Sequence, residues 1–299
     1  MMEPVHRVNG KEAEPVSGQV VFDLKKSFWN LGMILAAVIF APITFDLNVL
    51  ILFLFLTYFS LLVGHSVGMH RMMIHRTFES PPLVEKTLIY IGVLVGMSGP
   101  YGIIKIHDLR DWAQRQTQCH DFFSHKRNYF KDLWWQLTST FSFQNPPQIN
   151  IEPKYKNDKF YQWLESTWRY HQVGFAILLY LVGGWAWVVW GIFVRVSVSI
   201  VGHWSITYFC HNPGPGTWRV KNAVVQASNL RGLGILTYGE CWHNNHHAFP
   251  RSARLGIEQG QWDPGWWMLL IMKKAGLVWD LVTPNQLPER KELIRINSL

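Results

Sequence analysis

Two short histidine patterns define the chemistry that this sequence could perform. His70 and His75 form an HxxxxH pattern, and His243, His246 and His247 form an HxxHH pattern. On a helix, steps of three and four residues return to the same face, so the imidazoles of HxxHH lie within about 100° of arc. Neutral imidazole is a good ligand for iron, copper and zinc. The HxxHH pattern therefore predicts a metal site.

Several other kinds of site are disfavoured. The three cysteines (Cys119, Cys210 and Cys241) form neither a disulfide framework nor a CxxC zinc or CxxCH haem motif. Zinc proteases carry a glutamate after the first histidine of HExxH, whereas residue 244 is Asn244, which argues against a zinc hydrolase. The formal net charge is +8, but no nucleic-acid-binding motif accompanies it, so no nucleic acid partner is expected.

The apolar residues bunch into segments long enough to cross a bilayer. Residues 28–67 contain no Lys or Arg, and residues 173–201 contain only Arg195. Since about 20 apolar residues span a membrane, each block predicts a helical hairpin. The region 88–104 is also apolar, but Gly96, Gly99 and Pro100 interrupt it, which predicts an interfacial or re-entrant helix. The predicted spans are residues 28–45, 47–67, 171–184 and 186–208.

The basic residues fall on one predicted side of the membrane. Residues 1–27 hold four, residues 68–172 hold thirteen and residues 203–299 hold ten of the 28 basic residues, and Arg195 is the last. The positive-inside rule makes this side cytoplasmic. We therefore predict an all-α, multi-pass integral membrane protein with four transmembrane helices in two hairpins and cytoplasmic termini. A tail (1–27) would precede one domain (28–299), whose helical, histidine-rich cytoplasmic cap is residues 68–170 and 209–299.

The sequence resembles the membrane fatty-acid desaturases over most of its length. That family carries three histidine boxes on the cytoplasmic side of a four-span core. The segment from Gly68 to Arg76 resembles the first box, and the segment from Gly239 to Pro250 closely resembles the third box, G-E-x-x-H-N-x-H-H-x-F-P. The resemblance extends downstream through Trp262-Asp263-Pro264. It implies that His70, His75, His243, His246 and His247 are iron ligands.

The resemblance implies two further ligands, and one box departs from the family pattern. His211 occupies the place of the histidine that follows the fourth span. The second box, H-R-x-H-H in the family, reads here from His107 to Asp111, so only His107 is retained and its paired histidines are replaced by Arg110 and Asp111.

Three explanations of the altered second box stay open. Asp111 could replace an imidazole, because a carboxylate is also a good iron ligand. Another histidine could supply the missing nitrogen, and the candidates are His120, His125, His65 and His203. The site could also hold one metal or none.

The resemblance implies an oxygen-dependent fatty-acyl desaturase of the delta-9 type with two iron ions. Its partners would be membrane lipids, a long-chain acyl substrate linked to CoA, a phospholipid or a carrier protein, and a small electron-transfer protein with its reductase. The electrons must come from outside because the sequence has no appended haem or iron–sulfur domain. The alternatives are a related lipid hydroxylase or oxidase, and a non-catalytic desaturase-like membrane protein.

Overall fold

The structure is a computed structural model that describes residues 7–296, and most of these residues are helical. Three pairs of short antiparallel strands accompany the helices. The helices are α1 (Leu24–Phe40), α2 (Leu47–Phe59), α3 (Pro82–Leu94), α4 (Pro100–Gln114), α5 (Asp121–Ser124), α6 (Tyr129–Thr138), α7 (Pro153–Lys156), α8 (Lys159–Thr167), α9 (Tyr170–Val188), α10 (Arg195–Cys210), α11 (His243–Ala248) and α12 (Pro264–Lys274). The strand pairs are β1 (Val8–Asn9) with β4 (Gln148–Ile149), β2 (Gly18–Phe22) with β3 (Ser139–Phe143), and β5 (Trp218–Val220) with β6 (Leu293–Arg295).

Aspartate caps set the start of the first two helices. Asp23 accepts a hydrogen bond of 2.9 Å from the backbone N–H of Lys26, so α1 begins before the predicted residue 28. It ends at Phe40, close to Pro42. Asp46 caps α2 in the same way, accepting from Val49 at 2.9 Å. Each aspartate therefore satisfies one free N–H group at the start of its helix, and Asp46 also divides the apolar block.

The second helix is longer than the sequence predicts. A π-helical stretch, Ser60–Ile74, continues α2 directly, so the helical segment Leu47–Ile74 has 28 residues and includes His70. Helix α3 packs along this stretch. Gly64 permits the contact because a Cβ at this position would collide with the backbone of Gly92. His70 of the first histidine box thus belongs to the long helix, and His75 directly follows its last residue.

The other long apolar segment is Tyr170–Cys210, with 41 residues. It comprises α9, a π-helical stretch (Val189–Val194) and α10. Gly184 interrupts its helical backbone with φ of 70° and ψ of −162°, a conformation essentially confined to glycine. Within residues 7–296, the two long apolar segments are the helices long and apolar enough to cross a membrane.

The region 88–104 contains the end of one helix and the start of another. Helix α3 ends at Leu94, Gly96 has a φ of 83°, and α4 begins at Pro100. Proline suits the first turn of a helix because its missing N–H would have no helical partner there. The break redirects the chain, so α4 carries His107 and the rest of the altered second box.

The largest core cluster surrounds the π-helical stretch that carries the first box. Its fully buried members include Val67, Met73, Ile89, Ile104 and Leu269. These residues come from four elements: the π-helical stretch, α3, α4 and α12. The core therefore holds together two elements that carry histidines, the π-helical stretch and α4. The C-terminal segment supports a further one, because Arg290 donates to the backbone carbonyls of His247 and Ala248 in α11.

Candidate metal centre

Four histidines from three elements form the first group of potential ligands. They are His70 from the π-helical stretch, His75 at its end, His107 from α4 and His246 from α11. One ring nitrogen of each lies within 4.8 Å of the others. The Nε2 atoms of His75 and His107 are 3.3 Å apart. We call these residues the four-histidine group.

The remaining three predicted histidines form a second group, which we call the three-histidine group. His211 follows α10, and His243 and His247 lie one turn apart on α11. The three Nε2 atoms are separated by 3.1 Å, 3.2 Å and 3.4 Å. The two groups are adjacent because His246 and His247 are consecutive residues, with ring centroids 5.8 Å apart.

The asparagines between these histidines hold α11 in place. The side-chain oxygen of Asn244 accepts from the N–H groups of Thr217 and Trp218, and its amide donates to the carbonyls of Trp218 and Ala227. Asn245 donates to the carbonyl of Leu255. Both asparagines are buried, so their hydrogen bonds offset the cost of removing two amides from water.

A carboxylate orients His70. Oε2 of Glu240 lies 2.7 Å from Nδ1 of His70, and Oε1 accepts a hydrogen bond from Ser66. Arg71 lies 3.8 Å from the same carboxylate and pairs with Asp263 at 2.9 Å. A hydrogen bond at one ring nitrogen fixes the tautomer and presents the other nitrogen to a ligand. The first box is thereby connected to the downstream Trp262-Asp263-Pro264 segment.

Two other histidines have similar supports. Nδ1 of His107 lies 3.3 Å from Asp108, and Arg7 in turn donates to Asp108 at 3.1 Å. Nδ1 of His211 lies 2.7 Å from the backbone carbonyl of Thr207, to which it donates. These contacts leave Nε2 of each histidine directed towards its group.

The donor set fits a metal better than it fits a hydrogen-bonded network. Neither ring nitrogen of the buried His246 has a hydrogen-bond partner within residues 7–296. In the three-histidine group, neutral imidazoles cannot all satisfy one another through Nε2, because each uses this atom either as a donor or as an acceptor. Burial lowers the pKa of His247 to about 3, so its imidazole is neutral at physiological pH. Neutral imidazole is the form that binds metals.

Asp111 is buried beside the two groups. Its Oδ1 has no hydrogen-bond partner among the described residues, and its Oδ2 lies 3.8 Å from Arg115. Burial alone would raise the pKa of this carboxyl, but His107, His247, Arg115 and Arg110 together hold it well below its usual range. Asp111 is therefore an ionised carboxylate with an unused oxygen.

The structure does not bring His120 to either group. Its Nδ1 accepts from the backbone N–H of Phe122 at the start of α5, and its ring packs against Phe141, with centroids 4.5 Å apart. His125 is closer to the site, since its ring stacks on that of His211 at 5.5 Å, but its Nδ1 is paired with Asp132 at 3.0 Å.

A mostly apolar cavity of about 520 Å³ lies beside the histidines. Side chains of α2, of the π-helical stretch that continues it and of α10, such as Phe53, Leu61 and Ile206, form much of its wall. His70 and His243 are part of its lining. His65 and His203, the two other histidines considered for the second box, also line it and contact each other edge to face.

The supporting roles of Arg7, Asp108 and Glu240 were not predicted from the sequence. Glu240 lies within the third-box pattern, so this motif could have indicated its importance. Asp108 directly follows His107, but Arg7 is 101 residues from Asp108 and no spacing rule relates them.

A sequence model described as "Fatty acid desaturase" matches residues 47–256. The chain is 29% identical to a protein from Nostoc sp. (strain 36) named sn-2 palmitoyl-lipid 9-desaturase, over 84% of this chain and 88% of that protein. It is 30% identical to Delta-9 acyl-lipid desaturase 2 of Arabidopsis thaliana, over 85% of this chain and 81% of that protein. A third relative, the Acyl-CoA C20 Delta5-desaturase of Anemone leveillei, is 29% identical over 76% of this chain and 72% of that protein.

Proposed function

The chain belongs to the fatty acid desaturase family and is an oxidoreductase that acts on acyl chains, and we propose that its seven clustered histidines hold two iron ions. The observation that carries this proposal is the pair of adjacent histidine groups beside a mostly apolar cavity, with His70 and His243 in the lining of that cavity. Each group offers three or four converging nitrogens. The consecutive residues His246 and His247 supply one ligand to each ion.

The proposed reaction introduces one double bond into a saturated acyl chain. Two adjacent methylene groups lose one hydrogen each, dioxygen is reduced to two water molecules, and two further electrons and two protons complete the balance. Iron supplies the oxidising chemistry, which no protein side chain can provide. The protein provides position: Glu240 orients His70, Asp108 orients His107 and the carbonyl of Thr207 orients His211.

We propose that Asp111 replaces one of the missing second-box imidazoles. It lies four residues after His107 on α4, which places both on one helix face. Its buried, ionised carboxylate has one oxygen without a partner in residues 7–296. Iron accepts carboxylate as well as imidazole ligands.

The acyl chain would occupy the apolar cavity. Residues of α2 and α10 form its wall, and both helices belong to the long apolar segments. A chain entering between them from the bilayer keeps its methylenes out of water, which favours binding by about 0.8 kcal/mol per buried CH₂. The reacting carbons then lie next to His70 and His243.

The protein is membrane-associated, and the proposed topology has four spans. The helix α1 and the segment Leu47–Ile74 would form one hairpin, and the two halves of Tyr170–Cys210, divided at Gly184, would form the other. Both termini and the histidine groups then face the cytoplasm, in agreement with the distribution of basic residues. An acidic electron-transfer protein would dock on this basic side, where the positive potential favours its approach.

Lipid analysis of an expressing host tests the proposed reaction. Cells with the wild-type chain should contain a new monounsaturated acyl chain, and cells with His75→Ala should not. Immunoblotting of the membrane fraction controls for expression, because His75 lies at the end of its helix and outside the predicted spans. A new hydroxyl group in place of a double bond would contradict desaturation but retain acyl oxidation.

A further inference from the structure

The cavity wall contains a buried cation close to the proposed metal centre. Arg110 lines the cavity and is 6% exposed. It lies three residues after His107 on α4, so the two side chains occupy the same helix face about one turn apart. An acyl chain that reaches His107 therefore also comes close to the guanidinium.

The two acidic residues near Arg110 in the sequence lie closest to other basic groups. Asp108 pairs with Arg7 at 3.1 Å, and the nearest basic group of Asp111 is Arg115 at 3.8 Å. Among the described residues Arg110 forms no ion pair with Asp111, although the two opposite charges attract each other at longer range. Nε of Arg110 has no hydrogen-bond partner in the part of the chain that the structure describes.

A second nitrogen in the same cavity also lacks a partner. Nδ1 of His65, in a residue that is 7% exposed, makes no hydrogen bond within residues 7–296. Buried polar atoms in folded proteins nearly always have partners, and an unpaired buried charge is especially unfavourable. A mostly apolar cavity with these two nitrogen-bearing groups in its lining is suited to a ligand with an apolar chain and one anionic group.

We propose that Arg110 binds a free carboxylate at one end of a long-chain substrate within this cavity. The planar guanidinium matches a carboxylate through two parallel hydrogen bonds, and the carboxylate is small enough to follow an acyl chain into a buried site. The carbons next to the carboxylate then lie beside His107. This inference depends on the proposed acyl-binding role of the cavity, but not on desaturation itself.

Two kinds of long-chain molecule could supply this carboxylate. It could be the head of a free fatty acid, or the far end of a dicarboxylic chain whose head is esterified. Three probes distinguish these forms: hexadecanoic acid, its methyl ester and the monomethyl ester of hexadecanedioic acid.

Binding of the three probes to the full-length, metal-loaded chain in detergent tests the proposal without turnover. Tryptophan fluorescence is recorded anaerobically at about pH 8, where the carboxylic acids are ionised. At least one carboxylate probe should bind about tenfold or more tightly than the methyl ester, as is typical of hydrogen bonds to a charged group. Arg110→Gln should remove this preference while methyl ester binding persists. Lys105→Gln, which removes an exposed cation from the same helix, should preserve the preference.

Three results would overturn the proposal. The wild-type chain could bind all probes equally, which would be decisive whether or not the variant folds. Arg110→Gln could retain the full preference, in which case another group holds the carboxylate. Lys105→Gln could abolish it as completely as Arg110→Gln, which would indicate a general effect of positive charge. Since no product is measured, carboxylate binding with no oxidation of lipids would contradict the proposed function alone.

Discussion

Arg7 donates a hydrogen bond of 3.1 Å to Asp108 and thereby connects the N-terminal segment to the helix that carries His107. The same guanidinium donates to the backbone carbonyls of Met73 and Ile74, immediately before His75. One arginine thus supports the backbone at one proposed ligand and the carboxylate that orients another. Arg7 is a positioning residue in this account.

Arg7→Gln should weaken metal binding about 10- to 100-fold, the range typical for partners that orient metal ligands. Metal affinity is measured by titrating the demetallated full-length chain with Fe²⁺ under anaerobic conditions. Lys11→Gln is the matched control because Lys11 is an exposed cation of the same segment. Equal affinities for Arg7→Gln and wild type would contradict the positioning role.

Glu240→Gln should also weaken Fe²⁺ binding about 10- to 100-fold. The neutral amide loses the ionic contact with His70 and leaves Arg71 with a single carboxylate partner, Asp263. The same titration measures the effect, and Glu289→Gln, at an exposed position, is the control. If Glu240→Gln bound iron as wild type does, tautomer control of His70 by Glu240 would be excluded.

His247→Ala should lose iron from the three-histidine group and abolish acyl oxidation, whereas His120→Ala should retain both. The reason is that His247 has its Nε2 within 3.4 Å of two other imidazoles, while His120 caps α5 and packs on Phe141. Iron per chain by elemental analysis and lipid profiles measure the two effects. Loss of iron in His120→Ala would contradict the assignment of the ligands to the four-histidine and three-histidine groups.

Asp111→Ala should lose about one iron per chain, and Asp111→His should retain it because imidazole and carboxylate both bind iron. Loss of activity alone would not separate a ligand from a charge partner of Arg110. The double variant Arg110→Ala with Asp111→Ala separates these roles through iron content. Full iron in the double variant would mean that Asp111 is not a ligand.

Gly184→Ala should lower the stability of the folded protein by about 1–3 kcal/mol, because a side chain strains its backbone conformation. Gly174→Ala is the matched control. Both positions leave room for a Cβ, but Gly174 lies in regular helix, where alanine stabilises by about 0.5–1 kcal/mol. Thermal unfolding in detergent measures both. Equal midpoints for the two variants would contradict the strain at Gly184.

The local features of the site could be predicted from the sequence because they depend on short spacings. His243, His246 and His247 share one helix because steps of three and four residues do so in any α-helix. The break at Gly96 and Pro100 was also visible in the sequence, whereas the bounds of the two helices that it separates were not. The extent of the first-box helix was missed because a π-helical stretch has no clear sequence signal.

The supporting contacts could not be predicted because they join distant parts of the chain. Arg7 meets Asp108, and Arg71 meets Asp263, only after the helices have packed. The residue that replaces the missing second-box histidines could not be predicted for the same reason. From the sequence, Asp111 and four histidines stayed open as candidates for the missing ligands. The fold places the carboxylate of Asp111 beside the histidine groups, whereas His120 caps another helix.

The most direct test of the central claim is the iron content of the anaerobically purified full-length chain. Two histidine groups with Asp111 as an additional ligand predict about two iron ions per chain, with His246→Ala and His247→Ala each reduced. Zinc in place of iron, or a chain that contains no metal after anaerobic purification with added Fe²⁺, would contradict the claim that these histidines form a di-iron centre.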